Sequence, residues 1–144
     1  MEENNRLLGK INVSEFMIHN PYFTVPDEKI STTERFMLRK NVGGLPVVNN
    51  SRNKQIIGII TQRDIRLARF ATNLDSPNTR VKDLMTTETI ILQREDKLEL
   101  ALEKMMTKHI ERLPVVNSNN ELIGLITKQS ILERLFKFLN DTNT

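Results

Sequence analysis

The sequence predicts a mixed α/β (α+β) chain in which one β-α-β-β-α unit occurs twice. Three observations carry that prediction. "LPVVN" at 45–49 recurs at 113–117, a shift of 68 residues, and self-similarity at a fixed spacing marks a duplicated unit. "IIGIIT" at 56–61 recurs as "LIGLIT" at 122–127, so beyond the first strand the shift falls to 66. The second turn is therefore two residues shorter, at a place where length changes are tolerated. Ahead of each "LPVVN", apolar residues fall at helical spacing.

Taken in order, each copy opens on a short leading turn, with Val13 and Met17 of "VSEFM" corresponding to Val81 and Met85 of "VKDLM". A brief extended segment follows, Phe23-Thr24-Val25 in the first copy and Ile90-Ile91-Leu92 in the second. Next comes a helix, in which Leu98, Ala101, Leu102 and Met105 at i, i+3, i+4 and i+7 form one apolar face. Ile30 and Met37 hold the equivalent places in the first copy, the methionines read as core, and Asp27 or Asp96 is placed to cap the start. "LPVVN" and "IIGIIT", rich in β-branched residues and joined by "NSRNKQ" or "SNNE", read as a hairpin of buried strands. A closing helix is expected over 62–70 and over 128–139.

These elements divide the chain into a tail over 1–10, one motif over 11–70, a linker over 71–80, a second motif over 81–139 and a tail over 140–144. The linker "ATNLDSPNTR" has the Asn, Asp, Ser and Pro content of a loop. A single copy would bury only a marginal core, so the two are expected to pack sheet against sheet about an approximate two-fold.

Composition narrows the function. Twenty-one Lys and Arg against eighteen Asp and Glu leave a net charge of +3, and the pI near 9.3 favours an anionic partner weakly. Aromatic residues make up 5%, with one Tyr and no Trp, a poor supply for a base-stacking surface. A small anion fits better than nucleic acid. No cysteine and two histidines, His19 and His109, leave no disulfide, no thiolate chemistry and little for a metal site, so no metal or required cofactor is expected. The apolar runs are too short to span a bilayer and "MEENNRLLGK" lacks the core of a signal peptide, which points to the cytoplasm and away from membranes. No P-loop, nucleophile elbow or His-Glu-x-x-His is present, so an enzyme is not expected.

One motif carries chemistry. Thr61-Gln62-Arg63-Asp64 stands where strand gives way to helix. A Thr followed three residues later by an acid is a capping box. The same geometry offers free N–H groups to a phosphate, and a carboxylate that can accept from both hydroxyls of a ribose. Spacing alone leaves both readings open.

"GGLPVVN…IIGIITQRDI" resembles the signature of the cystathionine-β-synthase (CBS) domain family, in which Gly-h-h-Thr/Ser-x-x-Asp closes each motif, and both copies fit across residues 11 to 139. The resemblance implies a CBS pair, or Bateman module, binding an adenosine-containing ligand such as AMP, ADP, ATP or S-adenosylmethionine in a cleft between the motifs. It implies regulation of another, unidentified protein in response to energy or metabolite state. Carried over by position, Thr61 would face phosphate, Asp64 ribose and Ile59 the adenine, with Gly43 and Gly44 admitting the ligand and Arg63 contacting phosphate. Met85, Ile90 and Ile110 of the second copy would complete the adenine sandwich.

The second cleft departs from the pattern, because Thr127-Lys128-Gln129-Ser130 has Ser130 in place of the acid. Arg112 and Lys128 still supply cations there, with Met17 and Tyr22 as base-facing candidates, so weaker binding is expected. The resemblance also points to a homodimer, a flat disc of four motifs, formed through apolar helix faces that include Ile131, Leu132, Leu135 and Phe136. The reading that follows is a stand-alone CBS pair without catalytic activity. The rivals are a nucleic-acid-binding CBS protein and a purely structural dimerisation module.

Overall fold

A computed structural model describes residues 9–72 and 77–142. Residues 1–8 of the expected N-terminal tail, 73–76 of the expected linker and 143–144 of the C-terminal tail lie outside the described residues. The chain forms two compact units, one of Tyr22–Thr89 and one of Met1–Pro21 with Ile90–Thr144.

In the unit Tyr22–Thr89, helix α1 (Ile30–Lys40) leads to a hairpin of β2 (Gly44–Val48) and β3 (Ile56–Thr61), followed by α2 (Gln62–Thr72) and the short α3 (Val81–Leu84). The other unit starts with a 3-10 turn (Val13–Glu15) and β1 (Ile18–His19). It continues with β4 (Leu92–Gln93), α4 (Leu98–Lys108), β5 (Arg112–Val116), β6 (Leu122–Thr127) and α5 (Lys128–Thr142). The predicted fold class holds, and the duplication extends to the pairing pattern. β1 meets β6 antiparallel at Ile18↔Leu125 and β4 meets β5 parallel at Leu92↔Val115. Their counterparts are single bridges, Thr86 to Ile59 and Thr24 to Val47.

The units are not the repeats. Each contains the leading turn of the other copy. Val13 N donates to Asp96 O at 2.8 Å and Leu98 N to Ile11 O at 2.8 Å, while Val81 N donates to Glu28 O at 2.9 Å and Ile30 N to Thr79 O at 3.0 Å. Val13 and Val81 are fully buried in the cores they join.

Three expectations change. Asp27 and Asp96 do not cap the first helices: Lys29 and Lys97 are the cap residues, and neither makes a side-chain cap bond. The aspartates stand too far ahead. Asp27 Oδ1 accepts from Lys82 Nζ at 2.9 Å, and that hydrogen bond, with the lysine's charge, holds its carboxyl below the usual range. Asp96 Oδ2 accepts from Gln93 N at 2.7 Å. Secondly, β3 is not buried throughout but alternates buried and half-buried residues, as a strand with one covered face must. Thirdly, the second closing helix runs to Thr142, past 139, since the stretch holds no Gly or Pro to stop it; the first ends at Thr72, close to the expected 70.

Met37 and Met105 behave as expected, the first fully buried and the second nearly so, each within its unit's apolar cluster, whereas Met106 is 69% exposed. Leu98, Ala101 and Met105 are buried on one face of α4, and Leu102 is half-buried beside them. The asparagine ending each "LPVVN" closes its hairpin. Asn49 Oδ1 accepts from Asn50 N and Gln55 N at 2.8 and 2.9 Å, and Asn117 Oδ1 from Asn119 N and Glu121 N, both at 3.0 Å. His109 takes the left-handed C-cap position of α4 with φ 54°, where Asn41 sits in the first copy at φ 56°. Arg69 on α2 grips the carboxylate of Glu34 on α1, with Nη1 2.6 Å from Oε2, and this hydrogen bond lowers the Glu34 pKa despite partial burial.

Candidate functional site

Alternation along β3 places Ile57, Ile59 and Thr61 on one half-buried face, opposite the buried Ile56, Gly58 and Ile60. Strand passes into helix without a loop, Thr61 ending β3 and Gln62 opening α2. At that junction Thr61 N donates to Asp64 Oδ2 at 3.0 Å and Asp64 N donates to Thr61 Oγ1 at 3.1 Å. The capping box is formed. Gln62 N donates to Gly43 O at 2.9 Å, and Gly44 pairs in register with Thr61. No described glycine has a positive φ, so neither Gly43 nor Gly44 is needed there for backbone freedom. Met85 is half-buried, with Sδ 3.3 Å from where a Cβ on Gly58 would stand. Arg63 is exposed and makes no ion pair among the described residues.

This junction keeps its chemistry after capping. A carboxylate offers about four acceptor positions, of which the box uses one. Among the described residues, Asp64 Oδ1 accepts no hydrogen bond. The Thr61 hydroxyl accepts from Asp64 N and keeps its proton for donation. A helix N-terminus adds partial positive charge.

In the other unit Thr127 N donates to Ser130 Oγ at 2.9 Å, and Ser130 N donates to Thr127 Oγ1 at 2.9 Å. The box survives the loss of the acid. Ser130 is buried, and its hydroxyl proton goes to Thr127 O at 3.0 Å. Arg112, half-buried, opens β5 opposite Thr127, as Gly44 does opposite Thr61. Lys128 N donates to Glu111 O at 3.3 Å, and its Nζ lies 3.3 Å from Glu111 Oε1. Leu125, the counterpart of Ile59, is buried at 6% exposure. Met17 lies against Gly124, its Cγ 2.9 Å from where a Cβ there would stand.

The structure thus gathers Gly43, Gly44, Ile59, Thr61, Arg63, Asp64 and Met85 in one unit, and Met17, Arg112, Thr127, Lys128 and Ser130 in the other. Ile90 and Ile110 belong to the second unit, packed against its apolar cluster. Tyr22 belongs to the first, half exposed, edge-on to Phe36 at 5.3 Å and with Lys40 Nζ 5.5 Å from its ring centre. Sequence reasoning passed over Glu111, although the 68-residue shift sets it opposite Gly43. Among the described residues, no group of three or more His, Asp and Glu is placed to hold a metal ion.

The family model for the CBS domain matches residues 13–70 and 81–137. The chain belongs to the CBS domain family. Two CBS motifs in tandem make it a CBS pair, a regulatory module. It is 33% identical over 144 residues to inosine-5′-monophosphate dehydrogenase of Bacillus subtilis (strain 168), which covers 99% of this chain and 28% of that enzyme. To the same enzyme of Methanocaldococcus jannaschii it is 34% identical over 120 residues, covering 83% and 23%. The chain therefore spans about a quarter of these relatives, and the likeness lies in their CBS region. Among solved structures, CBSX2 in complex with AMP superposes with a TM-score of 0.78 at 25% identity, covering 89% of this chain and 98% of that one. A putative acetoin utilization protein (AcuB) from Vibrio cholerae shares the fold, with a TM-score of 0.81 at 23% identity and coverage of 92% and 96%.

Proposed function

We propose that this CBS pair binds an adenosine-containing ligand, AMP, ADP, ATP or S-adenosylmethionine, at the Thr61–Asp64 junction and passes its occupancy to a regulated protein in the cytoplasm. One observation carries the reading: the capping box engages only one oxygen of Asp64, leaving acceptors for a ribose. In this reading Asp64 holds the ribose, Thr61 and Arg63 face phosphate, Ile59 and Met85 face adenine, and Gly43 and Gly44 let the ligand approach. CBSX2, similar in fold, is seen with AMP. Ser130, lacking a carboxylate, makes the second junction the weaker one. Titration calorimetry with AMP, ATP and S-adenosylmethionine is expected to give one strong site per chain. A ligand at 100 times its Kd should raise stability by about 2.7 kcal/mol. No thermal shift with any of them would leave a structural dimerisation module.

The nucleic-acid alternative has one observation in its favour. By sequence, residues 22–89 hold eleven Lys and Arg against seven Asp and Glu, a net +4, whereas the rest holds ten against eleven, a net −1. RNA or DNA binding that falls steeply with salt would establish it.

The same reading includes a homodimer. On α5, Leu132, Phe136 and Leu139 are 61%, 65% and 53% exposed, more apolar surface than one helix normally leaves to water. Ile131, expected on that face, packs instead against its own unit's core. Light scattering is expected to report twice the 16.7 kDa chain mass; the monomer mass at micromolar concentration overturns the dimer.

A further inference from the structure

The two junctions differ most at a residue that neither capping box contains. In each unit the first backbone N–H of the closing helix donates to the carbonyl just before the hairpin: Gln62 N to Gly43 O, and Lys128 N to Glu111 O. Residues 43 and 111 therefore occupy the same place, against the positive end of a helix. At 43 there is no side chain. At 111 there is a carboxylate, 3.3 Å from Lys128 Nζ.

A helix start attracts anions because its N–H groups lack intrahelical partners and its dipole is positive there. Glu111 brings a negative charge next to that helix start from within the chain, and its exposed ion pair engages Lys128, the lysine that would otherwise favour a phosphate. Arg112 remains as a cation among these residues, so the local charge does not turn negative; the change is that one of the two cations is already engaged. Two further differences act the same way. Ser130 spends its single proton on Thr127 O and is buried. Leu125 is buried where Ile59 is half-buried, because β1 makes a two-residue ladder with β6 while Thr86 makes a single bridge to Ile59.

We infer that Glu111 is a specificity-determining residue, a built-in carboxylate that keeps phosphorylated ligands out of the Thr127–Ser130 junction and so makes this CBS pair a single-site nucleotide binder. The inference rests on the function proposed above. It adds that the loss of the second site comes from a charge that is present, and not only from the missing acid at 130.

The test is calorimetry with AMP and with adenosine, which lacks the phosphate, on the unaltered protein, Glu111→Gln and Glu111→Gly/Ser130→Asp. The unaltered protein should bind AMP once. Glu111→Gln, conservative at an exposed position, should tighten AMP at the second junction by roughly tenfold, an effect that shrinks as salt rises, and should leave adenosine unchanged. The double substitution, which gives the second junction the glycine and the aspartate of the first, should show two AMP sites per chain. The strong first site serves as the internal check of folding in both variants. Two equal sites in the unaltered protein, or AMP and adenosine responding alike to Glu111→Gln, overturn the role of Glu111 while the proposed function stands. A double variant that keeps its first site and gains no second one does the same. Absence of any site in the unaltered protein overturns the proposed function itself, and this inference with it.

Discussion

Asp64→Asn is expected to weaken the adenosine ligand at least tenfold while leaving the fold nearly untouched. The substituted amide keeps an oxygen that can accept from Thr61 N, so the bond now seen at 3.0 Å to Oδ2 has a replacement. The charge and the remaining acceptor positions are lost. Hydrogen bonds to a charged group contribute about 1.5 to 3 kcal/mol each, and 1.4 kcal/mol is already a factor of ten. If the carboxylate holds the ribose hydroxyls, a 2′-deoxy ligand should bind the unaltered protein poorly. Adding Asp64→Asn should then cost little more, since both changes disrupt one interaction. A residue that only caps predicts equal ribose and deoxyribose affinities, unaffected by the substitution. Four affinities, two proteins against two ligands, separate these outcomes, and additive losses count against a shared ribose contact.

The junction was legible in the sequence because everything in it is local. Thr61 and Asp64 are three residues apart, their spacing is that of a capping box, and the box formed with both bonds in place. The hairpins were legible for the same reason, from two β-branched runs around a polar turn. What the sequence did not show is which leading turn joins which unit. Val13 and Val81 are equivalent under the repeat and equally apolar, and nothing local distinguishes packing on one's own copy from packing on the other. Only the long-range bonds from Val13 N to Asp96 O and from Val81 N to Glu28 O decide it. Asp27 and Asp96 are of the right type for a cap but stand at the wrong positions: the helices begin at Ile30 and Leu98, with caps at Lys29 and Lys97, which puts Asp27 two residues and Asp96 one residue before the cap. The repeat does not mark Glu111, because its matching residues are apolar and the difference from Gly43 is one of charge.

Gly58→Ala is expected to destabilise the protein by roughly 1 to 3 kcal/mol, the range for overpacking, and the equivalent Gly124→Ala by clearly less. Repeat symmetry alone predicts equal effects; the neighbours predict otherwise. A methyl on Gly58 would stand 2.7 Å from the Thr86 carbonyl oxygen. That oxygen accepts from Ile59 N at 3.0 Å, and Thr86 N donates to Ile59 O at 2.9 Å. The methyl can enter only by displacing backbone that two hydrogen bonds hold in place. On Gly124 the obstacle is the Met17 side chain, whose Sδ is the nearest atom and whose Cγ lies 2.9 Å from the added carbon. A thioether with three rotatable bonds can move aside. Two second-site changes sharpen the test. Met17→Ala should remove most of the Gly124→Ala penalty, because the two side chains compete for one space. Met85→Ala should leave the Gly58→Ala penalty in place, because Met85 Sδ at 3.3 Å is not the nearest obstacle. Denaturant unfolding of the four single variants and two double variants measures these couplings directly. Equal losses at the two glycines, or rescue of Gly58→Ala by Met85→Ala, would show that the Thr86 backbone yields instead of staying fixed. The result also bears on the ligand, since Ile59 is both the residue that Thr86 bridges and the proposed adenine contact. Gly58→Ala should therefore lower AMP affinity as well as stability, whereas Gly124→Ala should leave AMP binding at the first junction unchanged.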